Sequence, residues 1–187
     1  MTHPNGRNDS PILVIGAGVV GASIAYHLAR VGLRVTVLER GSVAGGVTGN
    51  SFAWVGLSKS AAETYSDPFR HGAALELDRL ERELVEPFGL RRRGAITWET
   101  TEAETRKFVD AHRALGHPVD LIGKEEILAR EPGLRTAPLV AACAPDDGGV
   151  DPVAFARSLL RGAEEYGATV YSDVSALGVR SGCSRRA

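Results

Sequence analysis

The sequence predicts an α/β fold built on a parallel sheet, and three observations in the first forty residues predict it. A short apolar run, Ile12–Ile15, passes straight into a glycine-rich turn, Gly16–Gly21. Behind the turn, apolar residues recur at helical spacing (Ile24, Ala25, Leu28, Val31) until Gly32. A second short strand-forming run, Val35–Leu38, then ends in Glu39 and Arg40. Strand, helix and strand at this separation read as a βαβ unit, whose strands must be parallel.

Each further element has a local reason. Ile12–Ile15 is apolar without alternation, as a strand buried on both faces requires. Gly32 and, later, Gly167 are placed where a helix ends in the left-handed conformation that glycine adopts freely. Residues 41–60 show no steady period and are rich in Gly, Ser and Thr, so they read as an ordered loop or irregular helix start. Asp67-Pro68 is a cap and first-turn pair opening a helix to about Glu86, with Leu77, Leu80 and Leu84 on one face. Gly94–Thr100 reads as a strand. Thr101 and Glu104 form a capping box for a helix to about Leu115, and Lys124–Arg130 is a short helix stopped by Pro132. Asp151-Pro152 opens a last helix with Val153, Phe155, Leu159, Leu160 and Ala163 on its apolar face. Ala168–Tyr171 is a third strand of the main sheet, and Val174–Val179 is a candidate fourth.

Composition narrows the function classes. Hydrophobic residues make up 43% and charged residues 24%, the balance of a globular protein. The formal net charge of -1 supplies no positive field for nucleic acid. No stretch approaches the roughly 18 to 20 apolar residues of a membrane span. The polar start, Met1–Ser10, has no apolar signal core. Two cysteines, Cys143 and Cys183, make neither a disulfide framework nor a metal spacing, which suits the cytoplasm.

Gly16-Ala17-Gly18-Val19-Val20-Gly21 is a GxGxxG, a weak signal alone but specific in this context of strand, helix, strand and closing acid. Gly16 permits the tight turn. Gly18 lets a pyrophosphate approach the backbone. Gly21 lets the helix pack closely on the strands. The unpaired N–H groups and dipole of the helix N-terminus then favour the phosphates. Glu39 is placed to accept hydrogen bonds from a ribose, and its charge would repel the 2′-phosphate of NADP. The unit therefore binds the ADP half of a dinucleotide.

The run Ile12–Arg40, with Ala25 and Gly32 at packing positions, resembles the FAD-binding start of the D-amino-acid oxidase family of flavin-dependent amine oxidoreductases, which includes glycine oxidase and sarcosine oxidase. The segment Gly45–Trp54 resembles that family's second FAD segment, and Asp147–Pro152 with Gly167–Val170 and Val174 resembles its return to the cofactor sheet. The resemblance covers nearly all of residues 12–180. It implies FAD as cofactor, held by Gly16, Ala17, Gly18, Val19, Val20, Gly21, Glu39 and Arg40. Thr48, Gly49, Asn50 and Ser51 would meet phosphate or ribityl oxygens. Phe52, Ala53 and Trp54 would lie near the flavin ring, and the backbone of Val174 would meet the adenine.

The implied fold is a three-layer, Rossmann-like FAD domain. Residues 1–10 form a polar tail, 11–60 and 145–187 an incomplete FAD-binding domain, and 61–144 a helical insertion that starts the substrate domain. The implied reaction is oxidation of a small amine or amino acid at a CH–NH or CH–NH2 group by hydride transfer to the flavin. Family members are much longer. The strand expected on the free side of Ile12–Ile15, later cofactor contacts and the carboxylate-binding side chains would lie beyond Ala187. A truncated product, or a short subunit completed by a second chain, is expected. The alternatives are a non-catalytic FAD-binding subunit or remnant and an NAD-dependent Rossmann dehydrogenase.

No residue presents itself as catalytic acid or base. His27 reads as packing, His71 as an ordinary exposed or core histidine ahead of a substrate-side residue or covalent flavin anchor, and His112 and His117 as bland residues on or after a surface helix. The run Arg91–Arg93 reads as a solvated strand entry, with recognition of a substrate carboxylate as the sharper alternative. Asp146-Asp147 has no partner at metal-ligand spacing.

Overall fold

The computed structural model describes residues 11–56 and 68–178, the first four of the latter segment by backbone alone. In chain order the elements are β1 (Ile12–Ile15), α1 (Val19–Arg30), β2 (Val35–Leu38), β3 (Trp54–Val55), α2 (Pro68–Glu83), β4 (Ala95–Thr97), α3 (Glu102–Ala114), β5 (Asp120–Gly123), α4 (Lys124–Arg130), β6 (Val140–Ala144), β7 (Gly148–Gly149), α5 (Pro152–Glu165) and β8 (Thr169–Tyr171). The chain divides into two compact units. One holds the described residues up to Phe52, Leu84–Phe88 and those from Asp151 onward; the other holds Ala53–Glu83 and Gly89–Val150. No helix among the described residues is long and apolar enough to cross a membrane.

In the first unit a parallel sheet runs in the order β1-β2-β8, with Ile15, Leu38 and Tyr171 level across it. Both connections step the same way along the sheet, and right-handed crossovers then place α1 and α5 on one face. Burial agrees. Val14, Val35 and Val37 are buried under the helices, while Leu13 and Ile15 on the opposite face are 53% and 57% exposed. The expected third layer is therefore missing among the described residues, and β1 is an edge strand with one uncovered face rather than a strand buried on both sides.

The helix packing also differs from its apolar pattern. α1 buries Ala22, Ala25, Tyr26 and Ala29, while Ile24 and Val31 are exposed. Small residues win because α1 packs directly on α5. A Cβ on Gly162 of α5 would lie 2.8 Å from Leu84 and 2.9 Å from the Tyr26 ring, so the missing side chain of Gly162 makes room for the buried Tyr26 ring of α1. α5 begins as predicted, with Asp151 Oδ1 accepting from the N–H groups of Val153 and Ala154 at 2.9 Å each. Its buried face is Ala156, Ser158, Leu159, Leu160, Gly162 and Ala163, with Val153 and Phe155 only half-buried. Gly32 and Gly167 take φ of 82° and 88°, as helix-ending glycines do. Residues 174–178 form no strand, and Val179 lies outside the described residues, as does Asp67.

The second unit is not merely helical. Its core is an antiparallel sheet of order β4-β6-β5, in which every residue of β6 is buried. Helix α3 supplies Phe108 and Val109 to one side of this sheet, against Val119, Ala142 and Ala144. On the other side Ile127 of α4 packs with Ile122, Ala141 and Cys143. The predicted capping box is present: Thr101 Oγ1 accepts from Glu104 N–H at 3.2 Å, and Glu104 Oε2 accepts from Thr101 N–H at 3.0 Å. β3 and β7 pair antiparallel as a separate two-stranded element. His112 and His117 are not surface residues. Both are buried, with their Nδ1 atoms 3.0 Å apart, which requires one ring to donate and the other to accept.

Candidate dinucleotide-binding site

Every part of the candidate site lies in the first unit, at the carboxyl ends of β1 and β2. Leaving β1, the chain turns through Gly16 at φ 101°, a conformation in which a side chain would be strained. α1 starts two residues later on Gly18, whose extended backbone (φ -73°, ψ 176°) makes it a cap without a side-chain bond. The first N–H groups of a helix have no acceptor within it. Here Thr48 Oγ1 takes the Val19 N–H at 3.0 Å, and it would lie 3.0 Å from a Cβ on Gly18. A hydroxyl that accepts from a backbone amide still has its own O–H to donate. At Gly21 an added Cβ would stand 2.0 Å from Gly16 O, so glycine is demanded by the close seating of α1 on the turn.

Glu39 closes the other wall. Its Oε2 accepts from Ala17 N–H at 2.7 Å and its Oε1 from Gly41 N–H at 3.0 Å. The Ala17 bond first, and the Gly41 bond next, hold this carboxyl below the usual carboxylate range. Each oxygen keeps a further lone pair for a ribose hydroxyl. Glu39 thereby ties the glycine turn to the end of β2, a contact across 22 residues that the sequence does not announce. The turn formed by residues 43–50 is seated on the same loop, with Ala44 N–H donating to Ala17 O at 3.1 Å and both alanines buried. Val174 N–H donates to Glu39 O at 2.9 Å, which brings the segment after β8 to the same place.

These parts enclose a cleft of about 890 Å³, within the range of cofactor and ligand sites. Of the residues expected to hold the cofactor, Gly16, Gly18, Glu39, Arg40, Thr48 and Val174 line it. Ala17 is buried behind the lining, and Val19, Val20 and Gly21 make the first turn of α1, with Val20 70% exposed. Gly49 packs under Ala44 O, Asn50 Nδ2 donates to Gly46 O at 2.9 Å, and Ser51 is exposed, so this trio shapes the turn from behind. Phe52 is 92% exposed at the end of the first unit, whereas Ala53 and Trp54 belong to the second. Ser42, Ala44, Ser175 and Ala176 also line the cleft and carry no motif; small residues directly after a strand end are the only sequence signal they give.

The fit to a dinucleotide can be tested on the glycines. Gly41 and Gly46 line the cleft, yet neither has a left-handed backbone, and a Cβ on either would meet no atom within 4 Å. Packing within the protein does not demand glycine there, whereas an occupant lying close to the backbone would. The donor set agrees: a helix N-terminus for phosphate and a carboxylate for ribose.

A family model for FAD-dependent oxidoreductases, the DAO family, matches residues 11–186. The chain belongs to this family. FAD is the family's cofactor, which sets aside an NAD-dependent dehydrogenase. Among curated relatives, glycine oxidase of Geobacillus kaustophilus is 31% identical over 194 residues, covering 98% of this chain and 50% of the relative. Mitochondrial dimethylglycine dehydrogenase of Mus musculus is 30% identical over 88% of this chain and 19% of its own length. The crystal structure of the G. kaustophilus glycine oxidase superposes with a TM-score of 0.72 at 27% identity, covering 87% of this chain and 46% of that one. This DAO-family chain thus spans about half the length of the glycine oxidases it matches.

Proposed function

We propose that the cleft of the first unit holds the ADP half of FAD, in a flavoenzyme that oxidises a small amino acid or amine at a CH–NH or CH–NH2 group. The observation that carries the reading is the convergence of four separate segments, the glycine turn, Glu39, Thr48 and Val174, on one cleft. In this reading Gly16, Gly18 and the first turn of α1 hold the pyrophosphate, with the Thr48 hydroxyl as a further donor. Glu39 accepts from the ribose, and the backbone at Val174 borders the adenine. When bound, FAD supplies the acceptor for the substrate hydride. The protein's work here is to fix the cofactor's position and exclude water. The substrate class rests on the names of the relatives, glycine oxidase and dimethylglycine dehydrogenase. The two cysteines, without a disulfide framework, suit a cytoplasmic setting.

Because the chain spans about half of its glycine oxidase relatives, we place catalysis in a longer assembly. The rest of the family's length, in the same or a second polypeptide, would complete the walls around the flavin. Isothermal titration with ADP and with FAD tests the cofactor reading. Both should bind, and Gly18→Val should abolish binding while leaving the far-ultraviolet circular dichroism unchanged, since an added Cβ there meets only the end of Thr48. Retained ADP binding in Gly18→Val would show that the phosphates sit elsewhere.

A further inference from the structure

The second unit has a cavity that the cofactor reading does not use. It measures about 740 Å³ and lies between β4, the centre of β6, and the end of α4 with the residues that follow. Its floor is apolar: Ile96 from β4, Ile127 from α4, and Leu134. Cys143 adds a thiol to that floor. Burial, partly offset by the Arg130 guanidinium, pushes this thiol above its ordinary range, so it stays uncharged. Trp98, 44% exposed, stands at the margin.

Three charged groups line the same cavity: Arg93, Arg130 and Glu131. Arg130 is braced rather than free to swing. Its Nε and Nη2 both donate to Glu126 Oε1, at 3.0 and 2.7 Å, and its Nη1 reaches Cys143 Sγ at 3.5 Å. A guanidinium has five N–H groups, so donors remain for a ligand on the cavity side. With Glu126 offsetting Arg130, and Glu131 offsetting Arg93, the site carries no net charge. A simple anion gains little in such a place. A ligand that carries both charges and an apolar body matches every feature.

We propose that this cavity binds an α-amino acid with an apolar side chain. The carboxylate lies on Arg93 and Arg130, the ammonium on Glu131, and the side chain on Ile96, Ile127 and Leu134. The run Arg91–Arg93 thereby divides its work: Arg92 pairs with Asp78 and donates to Asp146 O at 3.0 Å, while Arg93 faces the cavity. All the lining residues belong to the second unit and all those of the dinucleotide cleft to the first, so the proposal stands independently of the cofactor reading.

Titration of the chain with L-leucine, followed by Trp98 fluorescence in a Trp54→Phe background, tests it. Saturable binding with a dissociation constant on the order of millimolar is expected for a ligand of this size. 4-Methylpentanoate, which lacks the ammonium, and 3-methylbutylamine, which lacks the carboxylate, should each bind at least tenfold more weakly. Arg93→Met should weaken leucine tenfold or more. Glu131→Gln should weaken leucine but leave 4-methylpentanoate unchanged, a selectivity that general unfolding would not produce. Gly18→Val, which strikes the other unit, should leave leucine binding intact. Absence of saturable binding, equal binding of the three compounds, or loss of leucine binding in Gly18→Val would each overturn the proposal.

Discussion

Replacing Gly21 by alanine sets two effects against each other, and the structure decides between them. In a helix interior alanine is favoured over glycine by about 0.5 to 1 kcal/mol, because it has less backbone freedom to lose, and in the first turn, where Gly21 stands, that figure is an upper bound. Against this stands the Cβ position, 2.0 Å from Gly16 O, 3.1 Å from Gly16 C and 3.5 Å from Val14 Cγ1. Ordinary contact needs more than 3 Å. The obstructing atoms are backbone, so no side-chain rotation relieves them, and α1 must retreat by about an ångström from the turn. That retreat opens the contacts of Ala22 and Ala25, both fully buried. Overpacking commonly costs about 1 to 3 kcal/mol, and rigid obstruction belongs at the upper end. We expect a net loss of about 2 kcal/mol, read as a lower urea midpoint by far-ultraviolet circular dichroism. Gly72→Ala, in α2 with open space around its Cβ, is the control and should gain about 0.5 to 1 kcal/mol from propensity alone. A Gly21→Ala variant as stable as the parent would show that α1 does not sit on the turn as described.

Four further outcomes follow from particular residues. Glu39→Ala should weaken FAD binding by about 1 to 3 kcal/mol, the scale of hydrogen bonds to a charged group, as measured by isothermal titration. Because the Ala17 and Gly41 N–H groups hold the folded Glu39 carboxyl below its unfolded range, its stabilisation is present above that range and lost as pH falls through the lowered folded value; Glu39→Gln should therefore flatten the acid limb of a pH series of urea midpoints, and an unchanged limb would refute the contact. Asp151→Ala removes the acceptor for two N–H groups at the start of α5 and should cost about 1 kcal/mol in the same unfolding measurement, with Asp151→Ser restoring most of it. Leu13→Lys, on the uncovered face of an edge strand, should reduce self-association in sedimentation velocity without lowering the unfolding midpoint, whereas a large loss of stability would mean that this face is covered.

What the sequence alone determined is what a few neighbouring residues settle among themselves. The capping box at Thr101, the Asp151-Pro152 helix start, the stops at Gly32 and Gly167 and the tight turn at Gly16 are each decided by hydrogen bonds or dihedral angles within four or so residues, so each is legible without the fold. The βαβ unit was legible over a longer span, from two apolar runs flanking a glycine turn, and it pointed to the ADP half of a dinucleotide; FAD itself came from the family resemblance. Tertiary structure decided the rest. Size of an apolar side chain did not predict its burial: Ile24 and Val31 face out while Ala22, Ala25 and Ala29 are buried, because two helices that pack closely select small residues. β6 went unread because a strand buried on both faces has no alternation, and alanine and cysteine carry little strand signal of their own. The burial of His112 and His117, the bond from Ala17 to Glu39 and the meeting of Arg93 with Arg130 depend on residues brought together from different elements. Local propensity is blind to such meetings, since the free energy that fixes them comes from surfaces that only the folded chain buries.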